Sequence, residues 1–280
     1  FFSNNRIVFI FDIWSKWIIT VVVNSFKNSY FSIICEKLVH IISEFNYDFA
    51  LVYSQKSKLD LDILKQCISQ RVDGIITLLE PEDDVIDTAR LNNIPLVMLG
   101  RNVDKDYIDL VYTDDKLGGQ LAAYYLINFH HLDKFVYIKL ANAECSRRRF
   151  DAFQKAVKEL NPDAEIAVIN QNQLNTKLIQ LIHNQYYGLF CFNDELAYEA
   201  LKILNKEIPN VRKVLPRLHI VGYDCISTRI NGFTDLTSID FDYDEICHTA
   251  VKFLLNRFEN IKLEQQKIVF TVKLHQRKYI

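Results

Sequence analysis

The strongest constraint on this chain is the recurrence of short, continuous apolar runs, each closed by a turn and followed by apolar residues at helical spacing. Leu218–Val221 shows the unit plainly: Pro216 leads into it, it stops at Gly222, and an acid, Asp224, comes next. A run that is apolar throughout, rather than alternating, is what a parallel strand buried on both faces requires. The glycine reads as the point where the chain must bend sharply. Ligands of open α/β sheets sit beyond the carboxyl ends of the strands, so an acid just past such an end is a binding candidate; its plain alternative is a solvated loop aspartate.

The pattern repeats along the chain. Strands are expected at 18–23, 49–53, 74–78, 95–99, 110–112, 134–140, 165–169, 188–192, 218–221, 236–239 and 268–274. Helical spacing fills the gaps, at 31–45, 59–71, 84–92, 117–129, 148–160, 175–184, 195–204 and 244–258. The helix over 148–160 carries its apolar stripe on Phe150, Phe153, Ala156, Val157 and Leu160. About eleven strands are too many for one compact sheet of usual width. The expected fold class is therefore α/β, with two doubly wound parallel-sheet lobes and a ligand cleft between them.

The 280 residues carry a net charge of −2, so no overall positive field is available to grip nucleic acid or an anionic membrane. Six cysteines are widely scattered, with no Cys-x-x-Cys and no histidines at ligand spacing, as expected for reduced core residues of a cytoplasmic protein without a metal site. His130-His131 reads as a turn. The apolar stretch over 7–23 is interrupted by Asp12 and Lys16, which argues against a membrane span. The chain opens on Phe1 rather than Met and reads as a piece of something longer.

Seven glycines, with no Gly-x-Gly-x-x-Gly, leave little room for a phosphate-cradling loop, and no nucleophile elbow or His-Glu-x-x-His is present. No catalytic residue and no cofactor are expected. Asp83-Asp84 fits the first turn of a helix, where the dipole favours negative charge. The expected strand ends instead offer amides, acids, guanidinium groups and rings: Asn24, Ser25, Asn28, Tyr30 and Phe31 after the first, then Arg101 and Asp115, Arg147–Arg149, Asn193-Asp194 and Asp224. Such a set suits a small polyhydroxylated ligand, with bidentate hydrogen bonds to hydroxyls and a ring against the apolar sugar face. Each residue alone could equally be a cap or a turn former, as at Asn193 and Asp194.

Seven short motifs in order resemble the effector-binding core of the lactose/galactose repressor family. They are Asn28-Ser29-Tyr30-Phe31, Arg71–Ile76 (Arg-Val-Asp-Gly-Ile-Ile), Ile94–Val97 with Arg101, Asp114–Gly118, Arg149–Phe153, Asn193-Asp194 and Val221–Asp224. Ser29 stands where the family has proline, Ala152 where it has glycine, and Cys225 where a second aspartate is frequent. The resemblance implies a type I periplasmic-binding-protein-like core. It divides into an extension over 1–17, a first lobe of 18–141 plus 241–266, and a second lobe of 142–240 plus 267–280. It also implies a sugar-like effector stacked on Tyr30 or Phe31 and bonded by Arg149, Asn193 and Asp224, with Asp115, Arg101 and Phe241 as weaker contributors. The family's expected partners are a second copy of the chain and operator DNA, the latter through an N-terminal helix-turn-helix outside this chain. An exported solute-binding protein of a sugar transporter, or the sensor of another signalling protein, is the alternative.

Overall fold

The structure, a computed structural model, describes residues 17–26, 28–141, 143–233 and 235–277; the extension expected over 1–17 lies outside them except for Trp17. The chain divides into two compact units. One takes the chain up to Lys27, Phe31–Tyr112 and Tyr243–Ile268; the other takes Asn28–Tyr30, Thr113–Asp242 and the chain from Val269 on.

In the first unit the strands are β1 (Ile18–Val23), β2 (Asp48–Tyr53), β3 (Lys58–Leu59), β4 (Gly74–Thr77), β5 (Glu80–Pro81), β6 (Leu96–Leu99) and β7 (Asp109–Thr113). The β-branched run of β1 is buried from Ile19 to Val23, and it pairs in parallel with β2 on one side and β4 on the other. β4 pairs with β6, and β6 with β7, again in parallel. β3 and β5 form a separate two-residue parallel pair. Helices Ser29–Glu44, Leu61–Ser69, Asp83–Leu91 and Tyr243–Glu259 complete the unit. Asp60 caps the second of these by accepting from the Ile63 N–H at 3.1 Å, and Asp83 and Asp84 do fall in the first turn of the third. Arg257 makes a buried two-pronged pair with Asp109, at 2.8 and 2.7 Å, and donates also to the Glu264 carbonyl.

The second unit has β8 (Lys134–Lys139), β9 (Glu165–Asn170), β10 (Gly188–Cys191), β11 (His219–Tyr223) and β12 (Thr237–Asp240). After β13 (Lys267–Phe270), which adds to the first sheet beside β7, β14 (Lys273–His275) adds to the second, antiparallel to β12. The strand orders are β2-β1-β4-β6-β7 and β9-β8-β10-β11-β12. Numbered within each unit's main strands, both read second, first, third, fourth, fifth. This doubly wound order places a switch point at the carboxyl ends of the first and third strands, here β8 and β10 in the second unit.

Several expectations change. The strand expected in the first lobe at 134–140 is β8 of the second sheet, paired with β9 and β10. The run over 268–274 is two strands in different sheets, because the chain breaks at Thr271-Val272. The helix expected over 148–160 starts at Glu144; Leu160 is 36% exposed, and Arg149 takes a buried position among Cys145, Phe153, Ala156 and Val157. Gly222 does not bend the chain. It lies within β11, and the turn belongs to Asp224 (φ 96°) and Cys225 (φ 50°).

In this glycine-poor chain other residues also take left-handed backbone. Asn46, Arg71, Asn93, His131 and Gln185 each sit two residues past the end of a helical segment with φ between 50° and 67°. All six cysteines are buried. Among the described residues no helix is long and apolar enough to cross a membrane.

Candidate functional site

Six of the eight expected ligand residues fall in the second unit: Tyr30, Asp115, Arg149, Asn193, Asp224 and Phe241. They gather at the carboxyl ends of β8, β10, β11 and β12. At the centre is Arg149, buried on the inward face of the helix Glu144–Leu160. Its Nε donates to Asp115 Oδ1 at 2.8 Å, and its Nη1 donates to the Phe192 carbonyl, just past β10, at 2.7 Å. The guanidinium plane lies 3.4 Å over the Tyr223 ring and 4.9 Å from that of Phe192. Burial works against its charge, yet Asp115, then Tyr223, hold it well above even the usual arginine range.

Local sequence explains this arrangement. Asp114 caps the helix Asp115–Tyr124 by accepting from the N–H groups of Lys116 and Leu117, which turns the Asp115 carboxylate inward. Gly118 and Gly119 then let that helix lie directly on its neighbours. A Cβ at Gly118 would stand 2.6 Å from the Tyr223 ring, and one at Gly119 would stand 2.3 Å from the Arg149 carbonyl oxygen.

Asp224 follows β11 directly and is 8% exposed. Its backbone N–H donates to the Ile239 carbonyl at 3.0 Å. Burial raises its carboxyl well above the ordinary range; Arg149 pulls it back, while Asp194, Glu195 and Asp115 push it higher. Asp224 therefore holds its proton more tightly than an ordinary aspartate. The turn it shares with Cys225 is held from several sides. Asp194 accepts from the Ile226 N–H at 2.8 Å and from the Ser238 hydroxyl at 2.6 Å, while Ser238 Oγ accepts from the Cys225 N–H at 3.0 Å. Arg229 donates to the Cys225 carbonyl, to Asp240 and to the Phe241 carbonyl.

Gly222 matters here for its space, since a Cβ would lie 1.9 Å from Asp194 Oδ1. Full burial lifts the Asp194 carboxyl to about 7, against the hydrogen bonds that lower it.

Asn193 spends its side-chain oxygen on capping the helix Asp194–Glu207, accepting from the Leu196 N–H at 3.0 Å. Tyr30 lies in the first turn of its helix, its ring 6.4 Å edge-on from Phe241, and Phe241 is the same distance from Tyr223. The Ser29 N–H donates to Glu195 at 2.6 Å. Phe31 and Arg101 belong to the first unit, Arg101 half-buried after β6 and Gly100. Sequence reasoning missed Tyr223, Phe192 and Arg229 as parts of this site. Only Tyr223 had a signal, as a member of a motif already noted.

Two family models match the chain. "Periplasmic binding proteins and sugar binding domain of LacI family" covers residues 16–187, and "Periplasmic binding protein-like domain" covers 124–278. The chain is 25% identical to the HTH-type transcriptional repressor PurR of Pasteurella multocida, over 90% of this chain and 77% of that protein. It is also 25% identical to the arabinose metabolism transcriptional repressor of Halalkalibacterium halodurans, over 84% and 67%. For the PurR of Actinobacillus pleuropneumoniae the match spans only 64% of that protein.

Among solved structures, a LacI family transcriptional regulator from Enterococcus faecium with bound ribose aligns at TM-score 0.79 and 23% identity, over 93% of this chain and 97% of that one. A periplasmic binding protein/LacI transcriptional regulator from Alkaliphilus metalliredigens complexed with D-xylulofuranose aligns at 0.79 and 22%, over 94% and 98%. These two are likenesses of fold. With each family model running over more than half of its length, the chain belongs to the periplasmic-binding-protein-like family that includes the sugar-binding domain of LacI-type regulators.

Proposed function

We propose that this chain is the effector-binding part of a DNA-binding transcriptional repressor, and that its effector is a small sugar-like molecule. The observation that carries the reading is the buried Arg149–Asp115 pair, with the buried Asp224 carboxyl nearby, at the switch point of the second sheet. The guanidinium is fixed by Asp115, the Phe192 carbonyl and the Tyr223 ring, so it presents a preorganised donor edge to ligand hydroxyls. Asp224 supplies a buried carboxyl for hydrogen bonds to hydroxyls, and Tyr30 and Phe241 supply ring surface for the apolar face of a sugar. Asn193 contributes through its amide. The names of the relatives, transcriptional repressors, favour a regulator over a transporter component.

In this reading the protein works in the cytoplasm as a homodimer and reads its operator through a helix-turn-helix in the region outside the aligned span. Occupancy of the site shifts the population between states of different operator affinity, which requires the effector to bind those states unequally.

The test is a thermal-shift screen of pentoses, hexoses, sugar phosphates and nucleosides, with calorimetry on each hit. A ligand at about 100 times its Kd adds roughly 2.7 kcal/mol and raises the melting temperature visibly. Asp224→Ala is expected to abolish binding of the hit while keeping the circular dichroism spectrum of the parent. Full affinity in that folded variant removes Asp224 from the site, and silence of the parent across the panel overturns the sugar reading.

A further inference from the structure

The first unit holds a cavity of about 350 Å³ at the amino end of β6, which shares no residue with the sugar-like site. That volume lies in the range of sites for small organic molecules, and a dry apolar cavity of about 150 Å³ is already enough to take benzene. Its floor is built from buried apolar residues: Ile86 and Ala89 on the helix Asp83–Leu91, then Ile94, Pro95 and Leu96. Much of the backbone there is already bonded. The N–H groups of Asn93 and Ile94 donate to the Arg90 and Ala89 carbonyls at 3.1 and 2.9 Å, Pro95 has no N–H, and its carbonyl accepts from the Ile75 N–H at 3.0 Å. A ligand lodged on this floor meets apolar surface, and a polar group buried against it would lose its water without a partner in return.

Both rims are fixed in advance. On one side Arg257, paired with Asp109, also donates to the carbonyls of Ile261 at 3.2 Å, of Leu263, and of Glu264 at 3.0 Å. All five of its N–H groups are thereby spent, so it braces the segment 261–264 and keeps no donor for a ligand. Ile261 and Leu263 stand on that segment as exposed apolar walls. On the other side is Tyr107, in a loop pinned before and after it. Lys105 Nζ donates to the Pro81 carbonyl and to Asp83 at 2.7 and 2.8 Å, and the Gln265 amide donates to the Lys105 and Ile108 carbonyls at 2.8 and 2.7 Å. Arg90, paired with Asp87, lies over the Tyr107 ring, 4.5 Å from its centroid. Between these fixtures Tyr107 takes left-handed backbone (φ 63°), which is costly for an ordinary side chain, and still leaves its ring 63% exposed. Core packing does not account for a ring held in that way; a contact surface for a bound molecule does.

We propose that this cavity is a second ligand site, one that takes a small flat apolar compound, an aromatic ring system of about the size of indole, with the Tyr107 ring as one wall. An aromatic pair of this kind adds roughly two- to tenfold in affinity beyond the area it buries. No carboxylate lines the cavity among the described residues, so a cationic compound finds no partner there. Because the rims are already ordered, binding costs little rearrangement of the protein. Ile86, Ala89, Ile94 and Leu96 also belong to the core of the first unit, so an occupant extends that core and stabilises it.

The experiment is calorimetry of the 280-residue chain with indole, repeated on Tyr107→Gly, Leu263→Asn and Phe129→Ala. Glycine suits the left-handed backbone at 107, so that variant is expected to keep the parent's urea midpoint while losing the ring. Leu263→Asn alters the opposite rim and leaves in place the carbonyl that accepts from Arg257. Phe129 is an exposed ring of the second unit and controls for indole adhering to any surface aromatic. The expected result is that indole binds the parent and Phe129→Ala alike, and binds Tyr107→Gly and Leu263→Asn each at least about threefold more weakly. The proposal is overturned if either of those two folded variants keeps the parent's affinity, if Phe129→Ala loses as much as they do, or if indole does not bind the parent at millimolar concentration.

Discussion

Gly222→Ala tests the packing that holds the binding turn. The added Cβ would stand 1.9 Å from Asp194 Oδ1 and 2.9 Å from Leu236 Cδ2. Leu236 can rotate away, but the Asp194 carboxylate is held by the Ser238 hydroxyl and the Ile226 N–H. Overpacking of this kind costs about 1–3 kcal/mol. Displacing the carboxylate adds roughly 1–3 kcal/mol for groups left without their partners. The sum, about 2–6 kcal/mol, is the expected loss. Asp194→Ala alone should lose about 2–4 kcal/mol by orphaning the same two donors. In the double variant the new methyl enters the space the carboxylate vacated, so its loss should equal that of Asp194→Ala alone. The coupling then equals the Gly222→Ala loss itself, about 2–6 kcal/mol, far outside the roughly 0.5 kcal/mol within which independent sites add. Urea unfolding followed by far-ultraviolet circular dichroism measures all four corners. Gly232→Ala serves as control, since Gly232 (φ 97°) has nothing within 4 Å of its added Cβ and should show no coupling to Asp194. Additive losses at 222 and 194 would refute the reasoning.

Three further outcomes are expected. Asp194 titrates near 7 in the folded chain against 3.8 for the ordinary side chain, so the fold holds the proton more tightly than the unfolded chain does. Its contribution is complete below about pH 4 and is lost as pH rises to about 7, with a slope of at most about 1.4 kcal/mol per pH unit; Asp194→Asn should flatten the stability profile in that window and leave it unchanged elsewhere. Arg149→Met leaves the Asp115 carboxylate buried without its nearest cation and should lower stability by about 3–5 kcal/mol, while adding Asp115→Leu should recover most of that loss, both read from urea midpoints. Burial pushes the thiols of Cys35, Cys67 and Cys225 up to about 11 and those of Cys191 and Cys247 higher still, so a disulfide reagent at pH 8 should label these five at least about tenfold more slowly in the folded chain than in urea.

The strands were legible because each is an apolar run between turn signals, and the two-lobe fold class followed from their number. What the run lengths could not show is which sheet receives a strand. β8 lies closer in sequence to β7 than to β9, yet it pairs with β9 and β10, since partner choice depends on contacts far along the chain. The two-residue strands β3 and β5 are too short to leave any periodic trace. In the site, Asp224 was readable from its place after an apolar run. Arg149 was readable as a candidate, but its inward direction depends on Asp115, 34 residues earlier, and on Phe192, 43 residues later. Gly222 shows the limit most clearly: a glycine at a strand end suggests a bend, whereas its reason here is a carboxylate 28 residues away in the chain.

The left-handed helix endings carry a consequence for how this protein can vary. An ordinary side chain held at positive φ forgoes roughly 1–2 kcal/mol that glycine would not, and asparagine forgoes less. Arg71 and Gln185 therefore mark exposed turns where the fold runs below its attainable stability. Related sequences can raise or lower melting temperature at such positions one residue at a time. Thermal tolerance and ligand choice are thereby inherited on separate residues, free to drift independently.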